Sequence, residues 1–341
     1  MFNRSRLPLV LTVLVVTLLP ILYAVVLLAR EKDGVIAFAS RERDGVAYLR
    51  PVRTLMETQP LQALHRMGVK DDLALGLSGA RKRLMAAFEE LDRCDRRHGS
   101  RFLTGLVVAR VRADWGFIDR LDPRTAIAQS LTGLNTSLLA LNAHIGDRSN
   151  LILDPDLDSY YLMDALVVKL PTAVDLLGHV MALAREQGVG TPMGDAARNQ
   201  IVALSGLLRS NLEGVGNDYR VAFENQPSLA RSLEPLRRES EARTQSVLAL
   251  LESAAQSRQA ERDVHARLMN PVLAAFRADF ALYDATSPAL DGLLVRRISR
   301  VERSKWQAAI AIGLLGLASV GVVVFLLLRM GAVERPAVTG T

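Results

Sequence analysis

Two long uncharged stretches near opposite ends of this chain constrain it more than any other feature. Leu7 to Ala29 contains no Asp, Glu, Lys or Arg, and about twenty apolar residues in a helix are enough to cross the hydrocarbon core of a bilayer. Trp306 to Leu328 repeats the pattern between Lys305 and Arg329, with the Trp306 ring suited to a membrane interface. The first stretch is too long for the apolar part of a cleaved leader and has no small-residue cleavage site after Ala29. It reads as an uncleaved anchor made irregular by Pro8 and Pro20.

The expected layout is a cytoplasmic N-terminus at 1–6, a transmembrane helix at 7–29, a helical body at 30–305, a second transmembrane helix at 306–328 and a short cytoplasmic tail at 329–341. Arg4 and Arg6 favour a cytoplasmic N-terminus, but Arg30 and Lys32 lie on the other side of the first span. Charge therefore does not settle orientation, although long loops are translocated largely regardless of charge. The tail, with Pro336, Thr339 and Gly340, is too short to bury a core.

The body is large enough for one elongated domain or two stacked modules. Its lone Cys94 excludes an intramolecular disulfide framework. The formal net charge of +6 is spread along the chain and gathers in no nucleic-acid motif, so no nucleic-acid partner is expected. Arg296, Arg297, Arg300, Arg303 and Lys305 form a basic run before the second span. That run fits anionic lipid headgroups or an ordinary solvated helix face equally well.

Apolar residues recur at intervals of three and four through the body, and alternating Val-, Ile- and Thr-rich segments are scarce, which predicts an almost all-α fold. The first helix should leave the membrane and run to about His65, perturbed at Pro51 and Pro60. A second should span about Lys70 to Arg96, because the polar cluster Asp92 to Ser100 reads as a helix end and turn. Arg101 to Leu121 is ambiguous. Asp122–Pro123 and Asp154–Pro155 read as helix starts, with a carboxylate cap and a Pro in the first turn. Gly188 and Gly190 should end a helix, and Thr191–Pro192 should begin another that reaches about Phe223. A turn near Asn225 to Pro227 and two further helices complete the body, the last passing Pro271 and Pro288 into the second span. Such helices bury their apolar stripes best as antiparallel bundles.

Little catalytic chemistry is encoded. Gly188, Gly190 and Gly194 have the wrong spacing for a phosphate loop, and the five histidines are dispersed without H-E-x-x-H. Cys94 lacks the thiol partners of a zinc site. Ser78, in G-L-S-G-A, lacks the final glycine and the strand-turn-helix setting of a nucleophile elbow. No catalytic residue, metal or cofactor is predicted.

The most distinctive segment is S-N-L-I-L-D-P-D-L-D-S-Y-Y-L-M-D, Ser149 to Asp164. Its alternating acids resemble the start of a calcium loop, but Ser159 stands where glycine is usual and Ala165 where a bidentate glutamate is needed. As plain structure, Asp154 caps a helix, Asp156 and Asp158 favour its positive end, and the tyrosines pack. As a ligand surface, Tyr160, Tyr161 and Asp164 share a helix face and could orient a small polar molecule, with Asp158 nearby and Arg148 available to an anion.

Together with F-A-S-R-E-R-D-G-V-A-Y-L-R-P at Phe38 to Pro51, that segment resembles the sensor region of bacterial transmembrane receptors. These are the methyl-accepting chemotaxis proteins and related sensor kinases or cyclases with all-helical, helical-bimodular-like input domains. The resemblance implies a two-pass protein of the bacterial inner membrane with a periplasmic sensory body, a small-molecule ligand and a homodimeric state. Such receptors carry a HAMP relay and an output module after the second span. Here neither follows, so the expected output runs through a separate signalling receptor or kinase. The competing expectation is a nonenzymatic membrane scaffold that uses its bundle for protein contacts; an enzyme ranks behind both.

Overall fold

The computed structural model describes residues 7–66, 76–123, 125–126, 130–186, 194–256 and 264–333. Every regular element among them is helical. The N-terminal residues 1–6, the Gly188 and Gly190 turn, the Thr191–Pro192 helix start and the tail beyond Val333 lie outside the described residues.

Helix α1 runs from Leu7 to Arg66 without a break. Pro51 and Pro60 do not interrupt it. Each removes one backbone donor, and the surrounding buried side chains Val52, Leu55, Met56, Leu61 and Leu64 hold the helix to the core through both positions. A short 3-10 turn, Leu77–Gly79, leads into α2, Ala80–Phe102, followed by α3, Gly105–Ile118.

The polar cluster at Asp92 to Ser100 is not a helix end, contrary to its composition. Its members are tied to neighbouring helices. Arg112 pairs with Asp92, the Tyr48 hydroxyl donates to Asp95 Oδ1 at 2.7 Å, and the His98 ring stacks on Phe102 at 5.7 Å between centroids. The helix instead stops at Leu103, whose left-handed φ of 56° lets its N–H reach the Gly99 carbonyl.

Asp122 accepts the Thr125 N–H at 3.2 Å, as a helix cap does. A π-helical turn, Ser130–Leu134, precedes α4, Asn135–Arg148. After the 3-10 turn Leu151–Leu153 come α5, Leu157–Asp164, a second π turn, Ala165–Lys169, and α6, Leu170–Glu186. Helix α7 spans Asp195–Asn225; a 3-10 turn at Pro227–Leu229 reverses the chain into α8, Ala230–Gln256, and α9 spans Val264–Val333.

The chain forms two compact units. Arg41–Leu294 is the body. Inside it, α7 packs on α5, α6 and α8, α3 packs on α4, and the middle of the core holds Tyr48, Phe88, Phe102 and Tyr219, each under 3% exposed. The second unit joins residues 1–40 with 295–341. Within that unit Lys305 donates to Asp33 at 2.6 Å, and Gly316 brings its helix against the Ile21 side chain.

Two described helices are long and apolar enough to cross a membrane. One, Leu157–Ala184, runs through α5, the π turn and α6 within the body and has 67% of its apolar window buried. The other, Arg267–Leu326, has 6% of its apolar window buried and takes in residues 306–326 of the expected second span, 306–328. The expected first span is continuous helix in α1, and its Val16, Leu19, Leu22 and Tyr23 are exposed.

Candidate functional site

The distinctive Ser149 to Asp164 segment organises itself before it offers anything to a ligand. The buried Asp154 carboxylate accepts the Asp156 N–H at 3.0 Å and the Ser159 hydroxyl at 2.9 Å, closing the turn ahead of α5. Asp156, not Asp154, occupies the cap position, and Ser159 is engaged as a donor rather than standing in for a calcium-loop glycine. Asp158 accepts the Ser159 N–H at 2.9 Å. Tyr160 is exposed, while Tyr161 packs its half-buried ring on the core, and the two rings meet edge to face at 5.3 Å. Arg148 has an exposed side chain at the end of α4, and its carbonyl accepts from Arg41 Nε at 2.8 Å.

Asp164 turns to a different set of partners. Its Oδ2 lies 3.8 Å from Lys169 Nζ across the π turn, and it faces Asp218 of α7. Asp218 is 3% exposed. Burial raises its pKa, and the Asp164 charge and a shared carboxyl hydrogen bond raise it further, against a smaller opposing pull from Lys169. Gly214 leaves room beside α7 for the Lys169 side chain: a Cβ there would sit 3.2 Å from Lys169 Cε. The π turn adds one residue to a helical turn and so re-aims Lys169 toward α7. Asp164 had a signal in sequence; Asp218 and Lys169 had none.

A cleft lies elsewhere in the body, between α1, α6 and α9. It has a volume of about 230 Å³. Leu61, Leu64, Met181, Leu273 and Phe276 supply apolar walls, and Arg53, Glu57, Arg277 and Asp284 supply charge. None of Arg148, Asp158, Tyr160, Tyr161 or Asp164 lines it.

Arg53 is the centre of this cleft. Its side chain is 11% exposed and pairs with Glu57 one turn along α1 and with Asp284 of α9, Nη2 to Oδ2 at 2.7 Å. The guanidinium lies over the Phe280 ring, 4.7 Å from its centroid, where the ring's negative face favours a cation. Its buried Nε–H meets no acceptor. On the other side of the Arg53–Asp284 pair a second cavity of about 300 Å³ is lined by Arg50, Thr54, Tyr283 and Ser287. The buried Tyr283 hydroxyl has no hydrogen-bond partner.

No protein-family model matches the chain, and no curated protein or solved structure does. Among the described residues no group of three or more His, Cys, Asp and Glu side chains is close enough to hold a metal ion. Cys94 is half-buried, and burial, with Glu90 close by, pushes its thiol up to about 11, so it is a poor nucleophile at neutral pH. What the Arg53 cleft offers is recognition: a buried cation with a spare donor, flanked by aromatic and aliphatic walls.

Proposed function

We propose that the chain is a two-pass protein of the bacterial inner membrane. In this reading its periplasmic helical body senses a small molecule, works as a homodimer and signals through a separate receptor or kinase without catalysis of its own. The observation that carries this reading is the cleft at Arg53 and Asp284. It is lined from α1 and α9, the two helices whose ranges also contain the apolar stretches 7–29 and 306–328.

A ligand in that cleft touches both helices at once. It can bias their packing only by binding one arrangement more tightly than another, and a shift of one continuous helix along its axis is a recognised output of such a bias. The resemblance of Phe38 to Pro51 and Ser149 to Asp164 to chemoreceptor sensor regions supports the same class.

The test has two parts. A reporter active only outside the cytoplasm, inserted in the Gln226–Pro227 turn, should be active; a cytoplasmic result removes the periplasmic reading. The full chain in lipid nanodiscs should then show a thermal shift with a member of a broad metabolite set. Arg53→Gln and, separately, Tyr160→Ala with Asp164→Asn tell whether that ligand sits in the cleft or on the Tyr160 face.

One observation favours a scaffold instead. Leu106 is 89% exposed, and Phe117, about three helical turns further along α3, is exposed on the same face. A stable protein partner recovered by crosslinking through Leu106, with no ligand-dependent change, would select that reading.

A further inference from the structure

The cleft's own bonding points to the chemical class of its occupant, an inference that rests on the sensor reading above. A guanidinium presents its Nε–H and one Nη2–H along a single edge, spaced to hold both oxygens of a carboxylate. At Arg53 that edge is half used. Asp284 takes Nη2 alone, and Nε–H is buried without an acceptor. The remaining Nη2 contact, to the Phe280 carbonyl, is 3.5 Å long.

The two members of the ion pair are unequally held. Arg53 is 11% exposed, pinned over Phe280 and tied to Glu57, whereas the Asp284 side chain is 59% exposed. Desolvation raises the Asp284 pKa in spite of the adjacent Arg53, so its carboxylate gains little from this position. Asp284 can therefore swing into water at small cost, since a half-exposed ion pair contributes little. Arg53 stays in place when it does, held by Glu57 and stacked on Phe280.

We propose that the cleft binds a compact organic monoanion with an apolar body, whose carboxylate takes the Nε–Nη2 edge of Arg53 in place of Asp284. The body lies against Leu61, Leu64, Leu273 and Phe276, and Arg277, exposed at the cleft, adds a second positive charge. Binding exchanges a one-point link between α1 and α9 for a two-point contact with the ligand. The ligand thereby releases the Asp284 end of a bond that joins the two helices.

The experiment is calorimetric titration of the full chain in nanodiscs with phenylacetate, its neutral amide phenylacetamide, and the cation benzylamine. Phenylacetate should bind and the other two should bind at least about ten-fold more weakly, the scale of a lost charged hydrogen bond. Asp284→Asn should tighten phenylacetate binding by about two- to five-fold, because it removes the competing carboxylate while leaving an exposed polar side chain. Arg53→Gln should abolish it. Circular dichroism checks that this buried variant folds, and Asp284→Asn decides the matter if it does not.

Weaker phenylacetate binding to Asp284→Asn overturns the proposal, as does unchanged binding to a folded Arg53→Gln. Preference for benzylamine or the amide, or a thermal shift only with some other class of molecule, overturns the anion class and leaves the sensor reading intact. No response to any small molecule overturns both.

Discussion

Ser240 donates its hydroxyl to Asp279 Oδ1 at 2.5 Å across the α8–α9 contact, where Asp279 is 2% exposed and its other oxygen meets no donor. Burial raises the Asp279 pKa to about 7, against a smaller lowering by the Ser240 hydrogen bond. The folded state thus holds a proton that the unfolded chain releases near its ordinary value of 3.8. Stability is full below about pH 4 and falls as pH rises through about 7, by on the order of a few kcal/mol. Asp279→Asn keeps the acceptor and removes the ionisation. It should raise the melting temperature at pH 8, leave it nearly unchanged at pH 4, and flatten the pH profile between; a parallel shift at both pH values would contradict this assignment.

The carboxyl pair of Asp164 and Asp218 makes a second, separable prediction. Beyond burial, the Asp164 carboxylate disfavours ionisation of Asp218, and Lys169 offsets only part of that effect. Asp164→Asn should lower the Asp218 pKa, and Lys169→Met should raise it. Infrared difference spectra against Asp218→Asn would read the protonated carboxyl directly at neutral pH. An Asp218 that is already fully ionised there, in the unaltered chain, would refute the pairing.

Gly45 is a position where backbone approach leaves no room for a side chain. A Cβ there would collide with the Ser149 side chain and approach Leu151 Cδ1 at 2.9 Å. Ser149 and Leu151 are both fully buried, so neither can swing away. Gly45→Ala should destabilise the body by about 1–3 kcal/mol through overpacking, despite the better helix propensity of alanine. Gly34, with open space around its Cβ position, is the control: Gly34→Ala should be neutral or slightly stabilising by chemical denaturation.

Within the unit that holds both chain ends, Gly316 packs its helix against Ile21, 3.4 Å from Cβ position to Cδ1. Small residues allow this kind of close helix contact in lipid. Ile21→Cys combined with Gly316→Cys, in a Cys94→Ser background, should form a disulfide within one chain under mild oxidation in membranes. Moving the second cysteine to Leu315, which is exposed, should abolish it. Equal crosslinking at both positions would mean that no fixed helix pair exists.

Much of the secondary structure was legible from local pattern. The three- and four-residue recurrence of apolar side chains specifies helix because it lines up one face, and the described residues are helical accordingly. The apolar runs at 7–29 and 306–328 were equally plain, since length and lack of charge are local properties. Local composition misleads where a distant partner satisfies a polar side chain. Asp92 and Asp95 look like the polar end of a helix, but Arg112 and Tyr48 satisfy them, and the helix continues to Phe102.

The Ser149 to Asp164 segment stood out in the sequence because its composition is unusual, and its Asp154 and Ser159 close its own turn. Arg53 drew no notice, being one basic residue among many on a helix. Its importance comes from Asp284 and Phe280, more than two hundred positions away. Periodicity determines which face of a helix is apolar, and therefore which elements exist; it carries no record of which helix covers that face. Only the packed tertiary structure brings Arg53 to Asp284 and Asp218 to Asp164, because burial and opposing charge act across space between residues the chain holds far apart.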